Sequence, residues 1–167
     1  MRPQKIRALS ALALTAVAVG GGVSAGQAHA DPELRHYVKT LHCPSADPFP
    51  GPPLRIQVDV YNHVAFPSDG LPAPAIELIA SDFPRPSILP NLTTYTTETT
   101  VRWRNTTTGK RGVVRVPTRS NRVTWQAVLH PGRGNVSFTI TQKIGAMAFV
   151  PMVNPQYSTC RGSARSV

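Results

Sequence analysis

The sequence predicts an all-β domain, a two-sheet antiparallel sandwich of seven or eight short strands standing behind a cleaved leader. Three observations carry that reading. After residue 30, apolar and polar side chains trade places in short runs, the period of a ribbon with one buried and one wet face. Turn residues interrupt those runs at regular intervals, and β-branched residues accumulate within them. No long helical period runs through the same region. A single sheet with one apolar face would leave that face in water, so the runs must close on each other as two layers.

The first thirty residues divide into three zones that serve export rather than folding. Arg2, Lys5 and Arg7 form a basic start, and 8–22 is an uncharged apolar run of fifteen residues. That run is shorter than the ~20 residues needed to cross a bilayer, which disfavours an uncut membrane anchor. Small residues follow at 23–26, then Ala28-His29-Ala30, an A-x-A cleavage signal. Neither a twin-arginine pair nor a cysteine at the cut is present, so no lipoprotein anchor is expected. Residues 1–30 therefore read as a signal peptide and 31–167 as one domain. The expected address is secreted, extracellular or in the cell envelope. That domain holds 137 residues, with 15 Lys and Arg against 8 Asp and Glu, hence a net charge of +7. It has no further apolar stretch of membrane-spanning length.

Taken in order, 34–41 has modest strand character. Eleven of the seventeen prolines fall within 44–90, so 44–53 and 66–74 must be irregular or edge structure, because proline cannot donate to a ladder. Between them Ile56, Val58 and Val60 alternate with Arg55, Gln57, Asp59 and Tyr61, the clearest strand. A shorter apolar strand is expected over 75–80 and a loop over 81–92. From Thr93 onward Thr99, Val101 and Trp103 share one face while Arg102 and Arg104 take the other. Residues 105–112 turn the chain, and Val114 and Val116 return. After 117–121, Val123, Trp125, Ala127 and Leu129 form another half-buried run. His130-Pro131-Gly132-Arg133-Gly134 turns again before Val136, Phe138 and Ile140, and 147–153 is expected to supply the last strand before Pro155. Trp103 and Trp125 fall on the inward rhythm of their strands and read as core anchors. The pattern is immunoglobulin-like, although the cysteine and tryptophan spacing is not that of antibody domains.

Cys43 and Cys160 are the only cysteines, and export places them where disulfides persist. They are expected to pair, closing a loop worth about 4 to 5 kcal/mol in the chain-entropy model. The alternative, a catalytic thiol served by His42, is disfavoured because neighbours along a strand point to opposite faces.

The stretch Val101-Arg-Trp-Arg-Asn-Thr-Thr-Thr-Gly109, with Trp125 and His130-Pro-Gly-Arg-Gly-Asn-Val136, resembles small secreted actinobacterial proteins. The resemblance covers about the last seventy residues. It implies an immunoglobulin-like sandwich, no assigned activity and a high-GC bacterial origin. Fourteen arginines against four lysines agree with it.

The most distinctive surface feature is residues 102–122, which hold Arg102, Arg104, Lys110, Arg111, Arg115, Arg119 and Arg122 with no acid. Arg102, Arg104 and Arg115 fall on outward positions of strands joined by one turn, where they are expected to make a continuous positive ribbon that attracts anionic polymers. The bland alternative is that such arginines keep a wet sheet face soluble and discourage edge pairing. Asn91, Asn105 and Asn135 open Asn-x-Ser/Thr triplets, idle in a bacterial chain. No HExxH, GxSxG, phosphate-binding glycine loop or paired zinc-ligand motif occurs. The residual catalytic candidate is Asp59, Tyr61 and His63, expected on one outward strand face, where a carboxylate would orient an imidazole as general base in a small hydrolase. His36, His42 and His130 are scattered. The favoured expectation is a non-enzymatic envelope module without cofactor or metal, engaging an anionic envelope polymer or another envelope protein. Specific nucleic-acid binding is not expected, since the tryptophans face inward.

Overall fold

The computed structural model describes residues 35–83, 94–146 and 152–167. The leader over 1–30, the triplet at Asn91, most of the 81–92 loop and residues 147–151 of the expected last strand lie outside the described residues. Eight strands form: β1 (His36–His42), β2 (Ile56–Asn62), β3 (Ile76–Asp82), β4 (Tyr95–Asn105), β5 (Arg111–Ser120), β6 (Thr124–Leu129), β7 (Gly134–Ala146) and β8 (Val153–Ser166). They make two four-stranded antiparallel sheets in the orders β1-β2-β3-β6 and β5-β4-β7-β8. The sheets meet along both sides, where β1 touches β8 and β5 touches β6.

Alternation fixes which face of each strand turns inward. Ile56, Val58 and Val60 of β2, Ile76, Leu78 and Ala80 of β3, and Val136, Phe138 and Ile140 of β7 are all buried in one cluster with Trp103 and Trp125. Each fully buried aliphatic contributes roughly 1.5 to 3 kcal/mol. One row of the core shows how shape is matched. In register across the second sheet stand Gly112, Trp103, Phe138 and Gly162. A Cβ at Gly112 would lie 2.4 Å from the Trp103 ring, and one at Gly162 would lie 2.7 Å from Phe138. Two glycines on the outer strands thus leave room for two large rings on the inner ones.

Polar groups in the core are paired across the layers. Trp125 on β6 donates its indole N–H to Gln142 Oε1 on β7 at 2.9 Å, and Gln142 donates in turn to Ser158 on β8 at 3.3 Å. Asn105, fully buried, pins two turns together. Its Nδ2 donates to the carbonyls of Pro131 and Arg133 at 3.1 and 2.9 Å, while its Oδ1 accepts from the N–H groups of Thr107 and Thr108. Cys43, just past β1, is bonded to Cys160 on β8 with a Cα–Cα separation of 5.5 Å. That disulfide ties the edges of the two sheets and fits an extracellular or otherwise oxidising location.

Three expectations need correction. The last strand is β8, running through Pro155 to Ser166 rather than ending before the proline. β8 is an edge strand, and Pro155 falls where its pairing with β7 skips between Ile144 and Ala146, so the missing N–H costs no ladder bond. For the same reason β5 continues through Pro117 to Ser120 on the opposite edge. His63 does not share a strand with Asp59, since β2 ends at Asn62 and His63 has a positive φ of 50°.

Candidate functional site

The outer face of the β5-β4-β7-β8 sheet gathers the charge. Because paired residues share a face, the register sets out its rows across all four strands. Arg111, Arg104, Ser137 and Ser163 form one row, and Val113, Arg102, Thr139 and Arg161 the next. Arg115, Thr100, Thr141 and Thr159 follow, then Pro117, Glu98, Lys143 and Tyr157. Glu98 is the acid of this face among the described residues, and Lys143 stands 3.7 Å from it. Arg104 and Arg111 lie directly opposite each other, a like-charge pair that destabilises a sheet unless an anion joins it.

Three adjoining depressions mark this face. The largest, about 390 Å³, is lined by Arg102, Arg104, Arg111 and Arg161 around the hydroxyls of Ser137 and Thr139. A second of about 330 Å³ shares Ser137 and adds Thr106, Ser163 and Arg165. The third, about 270 Å³, shares Arg165 and adds Arg133, Thr107 and Ser166. Together they form a groove with six exposed arginines and no Asp or Glu side chain among its lining residues, which also include the C-terminal Val167. Guanidinium forks and hydroxyls all donate, so the lining suits a ligand rich in oxyanion acceptors. Among the described residues no group of three or more His, Cys, Asp or Glu gathers to hold a metal ion.

The structure divides the expected basic block. Arg102, Arg104 and Arg111 enter the groove, whereas Arg115 and Arg119 stay exposed on the same face along the edge strand β5, outside the groove lining. Lys110 sits in the β4–β5 turn and donates to the carbonyl of His130 at 3.2 Å. Arg122 is exposed in the turn before β6, beyond the sheet face. In their place come Arg133, Arg161 and Arg165, which the sequence reading left unassigned. Alternation along 157–165 in register with β7 was the signal for the last two. Proline at 155 masked it.

The other sheet treats the residual catalytic candidate differently. Asp59 accepts a hydrogen bond from Thr40, which also contacts the Tyr37 hydroxyl at 2.8 Å. His63 instead makes an edge-on ring contact with His36, centroids 6.1 Å apart. No hydrogen bond joins Asp59 to His63 among the described residues. At the same end, the β2–β3 loop over 63–75 packs Val64 and Ala75 on Val128. Buried Glu77 there pairs with Arg35 at 2.7 Å and accepts from Gln126. His130 Nε2 stands 2.9 Å from Asp69, and its Nδ1 stands 3.2 Å from the Pro72 carbonyl. Partial burial pushes the Asp69 carboxyl up, but the His130 contact and the Leu71 N–H outweigh it and hold it below the usual range.

Comparison of this chain with protein-family models, with curated proteins and with solved structures finds no match.

Proposed function

We propose that the protein is an immunoglobulin-like, non-enzymatic binding module of the cell envelope or exterior that holds an anionic envelope polymer on the outer face of β5-β4-β7-β8. One observation carries the reading: six arginines line adjoining depressions into which no Asp or Glu side chain enters. Such a lining concentrates positive potential and draws polyanions to it. The strand order supports the immunoglobulin-like part. β2, β3 and β6 follow the order of strands A, B and E, and β5, β4, β7 and β8 follow that of C′, C, F and G. Trp103 lies on the C-equivalent strand, as the core tryptophan of such domains does. β1 is an added edge, and the disulfide joins it to β8 instead of linking B to F. The leader pattern at 1–30 and the disulfide both support an address outside the cytoplasm.

A salt-dependent retention assay on purified cell envelope tests this. Retention at about 0.05 M salt should fall at about 0.5 M, where screening shortens to a few ångströms. Replacing Arg102, Arg104 and Arg115 by Ser should lower it at low salt. Retention unchanged by both treatments rejects the reading.

A further inference from the structure

Proteins that bind flexible polyanions through a merely charged surface need no particular charge in a particular place. The arrangement here is more specific. Arg161 and Arg165 are separated by four residues on one extended strand, about 13 Å, and each borders a different depression. The first depression brings four guanidiniums around Ser137 and Thr139, the second continues through Ser163, and the third ends at Arg133 and the C-terminal Val167. Ser166, almost wholly buried, lines that third depression, and its hydroxyl lacks a hydrogen-bond partner among the described residues. Trp103 and Phe138 also line the first depression, but both are buried in the core and form only its floor. The groove therefore offers charge and hydroxyl donors without an exposed aromatic surface on which a base would stack.

We infer that the groove is a track for a phosphodiester polymer of polyol or sugar units, holding several consecutive phosphates at once, with its strongest subsite at Arg102, Arg104, Arg111 and Arg161. This rests on the basic-face reading and adds ligand class and position to it. Arginine with serine and threonine hydroxyls is the donor set that phosphate oxygens accept in backbone recognition. Anchoring along the strand makes later phosphates bind at high effective concentration once the first is seated.

The test uses glycerol-phosphate oligomers of two and eight phosphates, and oligothymidylate of eight phosphates, titrated into the disulfide-bonded protein at fixed ionic strength. The octamer is expected to bind at least tenfold more tightly than the dimer. Arg161→Gln should weaken both oligomers about tenfold. Arg165→Gln should weaken only the octamer and reduce its salt slope by about one phosphate contact. Arg119→Gln, on the same face but outside the groove, should change neither more than twofold. All three positions are exposed, and thermal melts check that each variant stays folded. Equal losses from Arg119→Gln and Arg165→Gln would overturn the track while leaving a diffuse basic face standing. Tighter binding of oligothymidylate at equal phosphate number would overturn the ligand class. Failure of every oligomer, together with salt-insensitive envelope retention, would remove both the track and the basic-face reading.

Discussion

Asn105 is the residue on which the turn end of the sandwich depends. It donates to carbonyls of the β6–β7 turn and accepts from N–H groups of the β4–β5 turn, wholly out of water. Asn105→Ala leaves the carbonyl of buried Pro131 and three backbone groups of exposed turn residues without this partner, and an unpaired buried group costs about 1 to 3 kcal/mol. Urea unfolding should show a loss of about 1 to 3 kcal/mol, and an unchanged stability would contradict the pin. Its Asn-x-Thr triplet is thus a structural coincidence, because a buried amide has no room for a glycan. Gln142 makes the same point in the core. Gln142→Leu orphans the Trp125 N–H and should cost about 1 to 3 kcal/mol, measured by the same unfolding, with Trp125→Phe largely cancelling the effect in the double variant. Such residues were hard to read from sequence for a physical reason. A strand's period of two announces that position 142 faces inward, but a polar side chain there becomes legible only when its partner on the other sheet is known. Trp103 and Trp125, apolar and on rhythm, were legible at once.

At the scale of elements, β2, β4 and β7 were readable because each has one apolar face and a partner on both sides, and the edge strand β6 was readable because no proline breaks its alternation. The edges of the other sheet were not. β5 and β8 carry Pro117 and Pro155, and proline reads as a stop until it is known that the strand borders no further neighbour. Since β8 contributes Arg161 and Arg165, losing that edge also hid two of the groove's six arginines. The inward side of β5 depends on Gly112. Gly112→Val would drive a side chain into the Trp103 ring, and overpacking of this kind costs about 1 to 3 kcal/mol. Near-ultraviolet circular dichroism should register the displaced indole. The β2–β3 loop is held differently, by the Asp69 contact with His130 and the Leu71 N–H donated to Asp69 at 3.1 Å. Asp69 has its carboxyl lowered in the folded protein. The sign follows: the stabilisation is complete above the unfolded carboxylate range and is lost as pH falls through the lower folded value. Amides of Gly70 and Leu71 should therefore lose protection below about pH 4, relative to the intrinsic exchange rate. The change should vanish in Asp69→Asn.

Across the whole molecule, the groove is assembled from three stretches far apart in sequence: β4 with the start of β5, the β6–β7 turn with the start of β7, and β8. Counting charge along the chain found the first stretch because its arginines are contiguous. The other two become neighbours only through β4–β7 and β7–β8 pairing. The disulfide acts on this assembly from its rim, since Cys160 lies on β8 one residue from Arg161 and holds that edge to Cys43. Cross-linking across 117 residues limits the unfolded chain far more than it shapes the folded one, a contribution of about 4 to 5 kcal/mol in the entropy model. β8, by contrast, is seated by its long ladder with β7 and by the Asn62 side chain donating to the Arg165 carbonyl at 3.0 Å. Stability and binding should therefore separate. The Cys43→Ser, Cys160→Ser double variant should unfold in urea with a stability lower by about 2 to 5 kcal/mol. At a temperature where it remains folded, it should bind the glycerol-phosphate octamer within about twofold of the parent protein. A large loss of affinity in the folded double variant would mean that the sulfur bridge, and not strand pairing, places Arg161 and Arg165 in the groove.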